Sequence, residues 1–402
     1  MPASSSNGVF RYLLESTTGE IETGNPQVYR VTGGTLAQTT TSTEDNELRS
    51  DRGRGDSVLV SGSVGGPLNI NLSHKTHNDF LSALLADEPT PASTNGIKTI
   101  SDMAFNSTTH TISSATTLLP VLEKGQWFQI LGATDAGNNG IYRASLTTAP
   151  TSGAIVVEVA VKDVAVTATA HSCTISSTRF KQGNDALKTY TIERELSDVG
   201  KFFTWAGCHV SSLNLSFSPT EKVTGTFNFL GQVSEVHGDA SLFPGIASAV
   251  AAPTTPQFNS VTGCHVLLDS TDLGSSCAAS FSIDINANLR ERRCLSGGLA
   301  ASSIGYDQFS VSGTLSIFFG SASSSTFYNK NLSDLPFTFA IACTDSAGNA
   351  FCLNVYRAKI TSCSVDGGSL GSDCMMSVTF SASTDSTITN SLIAIDVVGS
   401  TA

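Results

Sequence analysis

The sequence predicts a mainly β protein: two tandem β-sandwich modules, each with a short helix, plus a small inserted β-barrel-like domain. Three observations carry this. Charged residues are 14% of 402 and glycine numbers 35, a profile of short strands joined by turns rather than of helical bundles. Apolar and polar residues alternate over 68–72, 210–217 and 223–230, the period of half-buried strands. One stretch also recurs. Asn46-Glu47-Leu48-Arg49-Ser50-Asp51-Arg52 leads to Ser61-Gly62-Ser63-Val64 and a helix pattern, and Ala287-Asn288-Leu289-Arg290-Glu291-Arg292-Arg293 leads to Ser312-Gly313-Thr314-Leu315 and a second one. A repeated β module without a catalytic motif in either copy points to assembly rather than chemistry.

Taken in order, residues 1–24 are polar with one apolar patch at 9–14, and 28–36 reads as a strand. Residues 37–57 form a long loop, Thr-rich and then charged, broken by Gly53 and Gly55. A loop of that length is commonly functional or shaped by a partner. Residues 58–72 read as a hairpin around Gly65-Gly66-Pro67. Thr76 and Asp79 suggest a capping box, Phe80, Leu81, Leu84 and Leu85 give one helical face, and Pro89 and Pro91 end it. Residues 95–183 read as an insert with strands at 97–105, 127–132, 140–146, 154–161 and 165–175 and a turn at Asn138-Asn139-Gly140. Removing it joins the helix to Tyr190-Thr191-Ile192-Glu193. The first module is therefore 1–94 with 184–232, and 233–256, rich in Ala, Pro and Ser, is a connection. The second module is 257–402, with Phe327, Tyr328, Leu332 and Leu335 at its helix, strands at 337–342, 351–361 and 375–382, and 386–398 as a last strand or arm.

The net charge of −12 argues against a protein that holds nucleic acid through phosphate contacts, which needs a basic face. No basic region precedes an apolar core at the N-terminus, so no secretory signal is expected. The most apolar stretch, 154–170, is interrupted by Glu158, Lys162 and Asp163 and reads as strands rather than a membrane span. Of nine cysteines, three pairs flank turns: Cys264 with Cys277, Cys343 with Cys352, and Cys363 with Cys374. They are candidate disulfides, with buried thiols the favoured reading for a protein made in a reducing cytosol.

His74 and His77 stand three apart, but no third ligand is evident and no Cys-x-x-Cys pair occurs, so no metal is expected. No cofactor is expected either, because nucleotide-binding fingerprints and nucleophile elbows are lacking. Arg54-Gly55-Asp56 is too short a match to carry meaning. Glu193 and Glu195 alternate on a strand and read as solvated. Trp127 and Phe128 read as core of the insert, the other reading being a ligand anchor.

The order of elements, with Glu47-Leu48-Arg49-Ser50-Asp51-Arg52, Ser61-Gly62-Ser63, the helix at 80–85, Tyr190-Thr191-Ile192-Glu193-Arg194 and Val223-Thr224-Gly225-Thr226-Phe227, resembles the tail tube protein of long, non-contractile bacteriophage tails. The match is closest over 28–88 and 186–232. The second module follows the order but has Glu291-Arg292 where the first has Ser50-Asp51. The resemblance implies a non-enzymatic virion protein, made in the host cytoplasm, whose inner strands join neighbouring subunits into a barrel around a channel. Rings would stack into a tube that conducts the genome without binding it specifically, touching no membrane. Six modules per ring and two per chain imply homotrimeric rings. Other tail proteins, such as tape measure, terminator and distal tail protein, would be the remaining partners.

On that reading Glu47, Arg49, Asp51 and Arg52, with Arg290, Arg292 and Arg293 from the second module, make contacts between rings or subunits, since arginine pairs in a planar way with carboxylates. Ser61, Ser63, Asn69 and Asn71 would line the channel. The insert would decorate the outside. The alternatives are a β-rich adhesin with 95–183 as its binding module, and a hydrolase with an unrecognised site.

Overall fold

The computed structural model describes residues 7–399 apart from 46, 48–54, 92–96, 186, 261–262, 274–277, 296–298, 321–322, 369–370, 372 and 389. It is mainly strand, and its described α-helices are Asn78–Leu85 and Ser323–Leu332. Four strands of each module lie side by side in one antiparallel front sheet. Its order is Ala37–Thr43, Val58–Asn71, Thr224–Gly231, the second half of Lys201–Phe217, Ala278–Asn286, Ser310–Phe318, Met375–Ala382 and the second half of Ala350–Asp366.

Behind it each module carries a back sheet. In the first, Gln27–Tyr29, Gly8–Leu14, Tyr190–Leu196, the first half of Lys201–Phe217 and Val236–Gly238 pair in turn. In the second, Cys264–Leu268, Phe337–Thr344, the first half of Ala350–Asp366, Ile393–Val398 and Thr178–Lys181 do so. Each 17-residue strand thus serves both sheets of its sandwich. The bends are β-bulges, which insert a residue and turn the strand. The register slips just after Val210 and just after Ile360, and near Cys208 and Ala358. The spacing is the same for both, 360 − 210 = 150 and 358 − 208 = 150, so the two modules share bends as well as strand order.

Helix Asn78–Leu85 lies between the two sheets of the first module. Phe80, 1% exposed, packs against Tyr12, Tyr29, Tyr190, Phe227 and Phe229 at centroid distances of 4.7 to 5.7 Å. The expected capping box does not form. The N-cap is His77 without a side-chain bond, because Thr76 is held by Ser73 at 2.8 Å and Asp79 accepts from the Tyr12 hydroxyl at 2.7 Å. Ala86, in the left-handed conformation, ends the helix before either proline.

The expected hairpin at 58–72 is instead one strand, Val58–Asn71. Partners on both sides hold Gly65-Gly66-Pro67 extended. Proline offers no N–H, and the ladder toward Ala37–Thr43 breaks at that point, between the pairs Gly34/Leu68 and Ala37/Gly65. Gly66 has φ +141°, and a Cβ there would lie 2.4 Å from the Thr35 carbonyl oxygen.

The insert has six strands in the order Gly140–Arg143, Trp127–Leu131, Ala168–Ser176, Ile97–Asn106, Thr111–Ser114, Ala154–Val156. A bridge from Ala144 to Val157 joins the first strand to the last and closes a barrel. Ile100, Met103, Phe128, Tyr142 and Ile175 fill it. Its exit strand Thr178–Lys181 pairs with Ile393–Val398, which is a paired strand of the back sheet rather than an arm. Residues 233–256 pack on the first module through Val236–Gly238 and buried Phe243.

Candidate assembly surfaces

The front sheet has one covered face and one bare face. Val64, Leu68, Ile70, Leu213, Leu215, Phe227, Ile283, Ile285, Leu315 and Val378 point into the sandwiches. Period-two alternation sends their neighbours the other way. Ser63, Asn69, Asn214, Asp284, Ser310 and Ser312 are exposed there, and Ser61 and Asn71 are half-buried. Two polar cross-strand bonds tie this face together, Thr226 to Asn69 and Asn228 to Ser212, each 2.9 Å. No Lys or Arg occurs in Val58–Asn71, Thr224–Gly231, Ala278–Asn286, Ser310–Phe318 or Met375–Ala382. Partial burial raises the Asp284 carboxyl above its ordinary value.

Among the described residues the sheet ends in two edges without a further strand: there Ala37–Thr43 pairs only with Val58–Asn71, its Gln38 N–H donating to Glu235 at 3.0 Å, and beyond Ala358 the strand Ala350–Asp366 pairs only with Met375–Ala382. The first hairpin also projects, leaving Val58, Leu59 and Val60 exposed.

The predicted charged loop residues divide. Glu47 is exposed, and Arg49, Asp51 and Arg52 lie outside the described residues. Arg290 is exposed, and Arg292 lies over Gly305 in the hairpin of Leu289–Arg292 with Ser303–Tyr306. Arg293 is spent inside the chain. Its Nη2 donates to the Gly62 carbonyl at 2.6 Å and Nη1 to that of Leu299 at 2.9 Å, and it ion-pairs with Glu291. The Gly62 N–H in turn donates to Leu299 at 2.9 Å. The second module's loop therefore clasps the first module's hairpin. That follows from the sheet order, which sets the two loops at one end of adjoining modules.

The cysteine expectation is corrected. Cys264 is disulfide-bonded to Cys343, with Cα atoms 4.3 Å apart, and Cys352, Cys363 and Cys374 are free thiols. Cys264 and Cys343 are opposite each other in register, whereas Cys343 opposes Phe351 and Cys352 opposes Ala342. Cys277 lies outside the described residues.

The two histidines serve different neighbours. His77 Nδ1 meets the Tyr29 hydroxyl at 2.8 Å and Nε2 the Asn71 carbonyl at 3.2 Å. His74 is 1% exposed with no hydrogen-bond partner on its ring among the described residues. Burial lowers both to about 4. Glu193 is fully buried rather than solvated, accepting from Thr204, Ser241 and the Leu242 N–H. Glu195 pairs with Arg11 at 2.5 Å.

Trp127 packs outside the insert's own core, against Leu267, Ala340, Ala350, Cys352 and Val398 of the second back sheet. Its indole N–H donates to Asn354 Oδ1 at 2.9 Å. Beside it is a buried network that the sequence reading missed. Asp396, 0% exposed, accepts from Arg179 Nε (2.7 Å) and Nη2 (2.8 Å), the Trp127 N–H (3.0 Å) and Asn354 Nδ2 (3.0 Å). Burial works against the Arg179 charge, but Asp396, Tyr356 and Glu123 together outweigh it and hold the guanidinium above its ordinary pKa. The one signal was the lone charge in the apolar run Ile-Ala-Ile-Asp-Val-Val; Arg179 stands among polar residues, Ser-Ser-Thr-Arg-Phe-Lys, and gave none.

A comparison with protein families matches residues 5–394 to the phage tail tube protein family. No curated protein matches the chain.

Proposed function

Because the chain belongs to the phage tail tube protein family, a structural family of the virion, we propose that its copies close into rings, that the rings stack, and that the genome passes through the resulting channel. The observation that carries this reading is the front sheet, which runs through both modules with one bare face of Ser, Thr and Asn and with free edges at both ends. Turned inward, that face offers DNA hydroxyls and amides with almost no cations, so phosphates find little to hold them. The overall charge of −12 acts in the same sense. Closing the sheet on itself removes edges that would otherwise pair at random.

Two modules per chain give three chains per ring, a closed head-to-tail arrangement. The insert, docked by Trp127 on a back sheet, then faces outward. The projecting hairpin with Glu47, Arg49, Asp51 and Arg52, joined by Arg290 and Arg292, reaches the next ring. Tape measure, terminator and distal tail protein are the other partners, and assembly takes place in the host cytoplasm. Electron micrographs of the purified full chain test this. Stacked rings with an open centre and three-fold symmetry are expected. A monomer that stays monomeric at high concentration, with no ring in any image, overturns it.

A further inference from the structure

We propose that strand Ala37–Thr43 of one copy adds to the open edge at residues 360–366 of a second copy, antiparallel, with Ala37 opposite Ser364 and Thr39 opposite Ser362. This rests on the ring reading above and names the surface and register through which two chains meet.

The chain contains its own template for that contact. Where its modules join, residues 212–217 pair with 281–286, Ser212 opposite Asn286 and Asn214 opposite Asp284. Each partner has a counterpart at a free edge. Ser212 follows the bulge and opposes Asn228, as Ser362 follows the matching bulge and opposes Thr379, and 362 − 212 = 150. Asn228 then opposes Pro67 and Thr379 opposes Thr314, so 314 − 67 = 247. Thr314 opposes Ser282, while the Pro67 carbonyl accepts from the Thr35 N–H, and 282 − 35 is again 247. Transfer of the internal pairs gives 286 − 247 = 39 opposite 212 + 150 = 362, and 284 − 247 = 37 opposite 214 + 150 = 364.

What the joint covers inside the chain is uncovered at the edge. Leu213 and Leu215 are fully buried. Their counterparts Cys363 and Val365 are half-buried and 41% exposed. Ala37–Thr43 carries no charge and no proline, and residues 360–366 carry one charge, Asp366 at the far end; charges and prolines are the devices by which exposed edges usually avoid pairing. The Gln38 N–H donates to the Glu235 carboxylate at 3.0 Å, a contact that the incoming strand has to replace.

A crevice repeats the pattern. At the internal joint Phe217 and Pro219 wall a cavity of about 420 Å³ with Cys264, Val266 and Phe281. The matching crevice of the first module, about 310 Å³, is lined by Gly8, Phe10, Val31 and Thr32 and among the described residues has no such wall.

Cysteine pairs read the register in the assembled full chain, with Cys294 and Cys374 changed to Ser. The double variant A37C/S364C is expected to form a disulfide between chains under mild oxidation, whereas A37C/S362C and T39C/S364C, each displaced by two residues, are not. Covalent species on a denaturing gel should stop at three chains. Tubes that cross-link only through a displaced pair, or through none, overturn the register and leave the ring reading standing. Failure of every variant and of the parent to assemble overturns both.

Discussion

Replacing Asp396 by Asn tests how the insert is locked to the second module. The substitution keeps the volume and removes the charge, turning an amide donor toward Arg179, which is 1% exposed. The one amide oxygen of Asn can keep only one of the two bonds at 2.7 and 2.8 Å, and the guanidinium stays buried beside Glu123, which is 38% exposed, and the Tyr356 ring. Breaking one side of a buried ion pair costs about 3–5 kcal/mol, while an exposed pair contributes about 0–1. Trp127 donates to Asp396 and is one of two tryptophans, so its fluorescence reports the joint once Trp205 is changed to Phe. Urea titration of the full chain should show the Trp127 transition at a much lower midpoint in D396N. The double variant R179M/D396L should recover part of the loss, because apolar replacements of a buried pair are often neutral, while the Trp127 N–H and the Asn354 amide still lose their acceptor. A loss below about 1 kcal/mol in D396N would refute the reasoning, since it is the value of a solvated pair.

Other outcomes follow from the same structure. Phe80→Ala removes the ring at the centre of the first module's aromatic cluster and should cost about 3–5 kcal/mol in thermal unfolding; less than 1 would place Phe80 outside the core. His74, His77 and His209 are lowered to about 4 by burial, so the unfolded chain takes up protons first. Stability is then full above about pH 6.5 and falls toward pH 4, by roughly 3 kcal/mol per histidine. His77→Gln should flatten that slope in urea midpoints measured across the range, and an unchanged slope counts against the assignment. Shortening 45–55 to a tight turn should leave rings but no stacks in micrographs; normal tube length would remove the loop from the stacking contact.

The β class, the buried face of Asn78–Leu85 and the polar alternation of Ser61, Ser63 and Asn69 were legible, because each depends on local period and burial. What failed depends on which strands become neighbours. Gly65-Gly66-Pro67 has turn chemistry, but flanking strands keep it extended. Cys343 and Cys352 do lie on paired strands, yet one step out of register sends their side chains to opposite faces. Matching Ser61-Gly62-Ser63 with Ser312-Gly313-Thr314 put the repeat four residues out, since the strand ladder equates Gly313 with Gly66 (313 − 247 = 66). Arg179 and Asp396 are 217 residues apart, and no local pattern links them.

The internal joint between 212–217 and 281–286 has a consequence for dissociation. Strands that belong to one polypeptide face each other at an effective concentration set by their tether, on the order of millimolar for a short flexible one. Dilution cannot lower that figure. However dilute the sample, the smallest particle released keeps this seam closed, and the concentration dependence of assembly belongs entirely to contacts between chains.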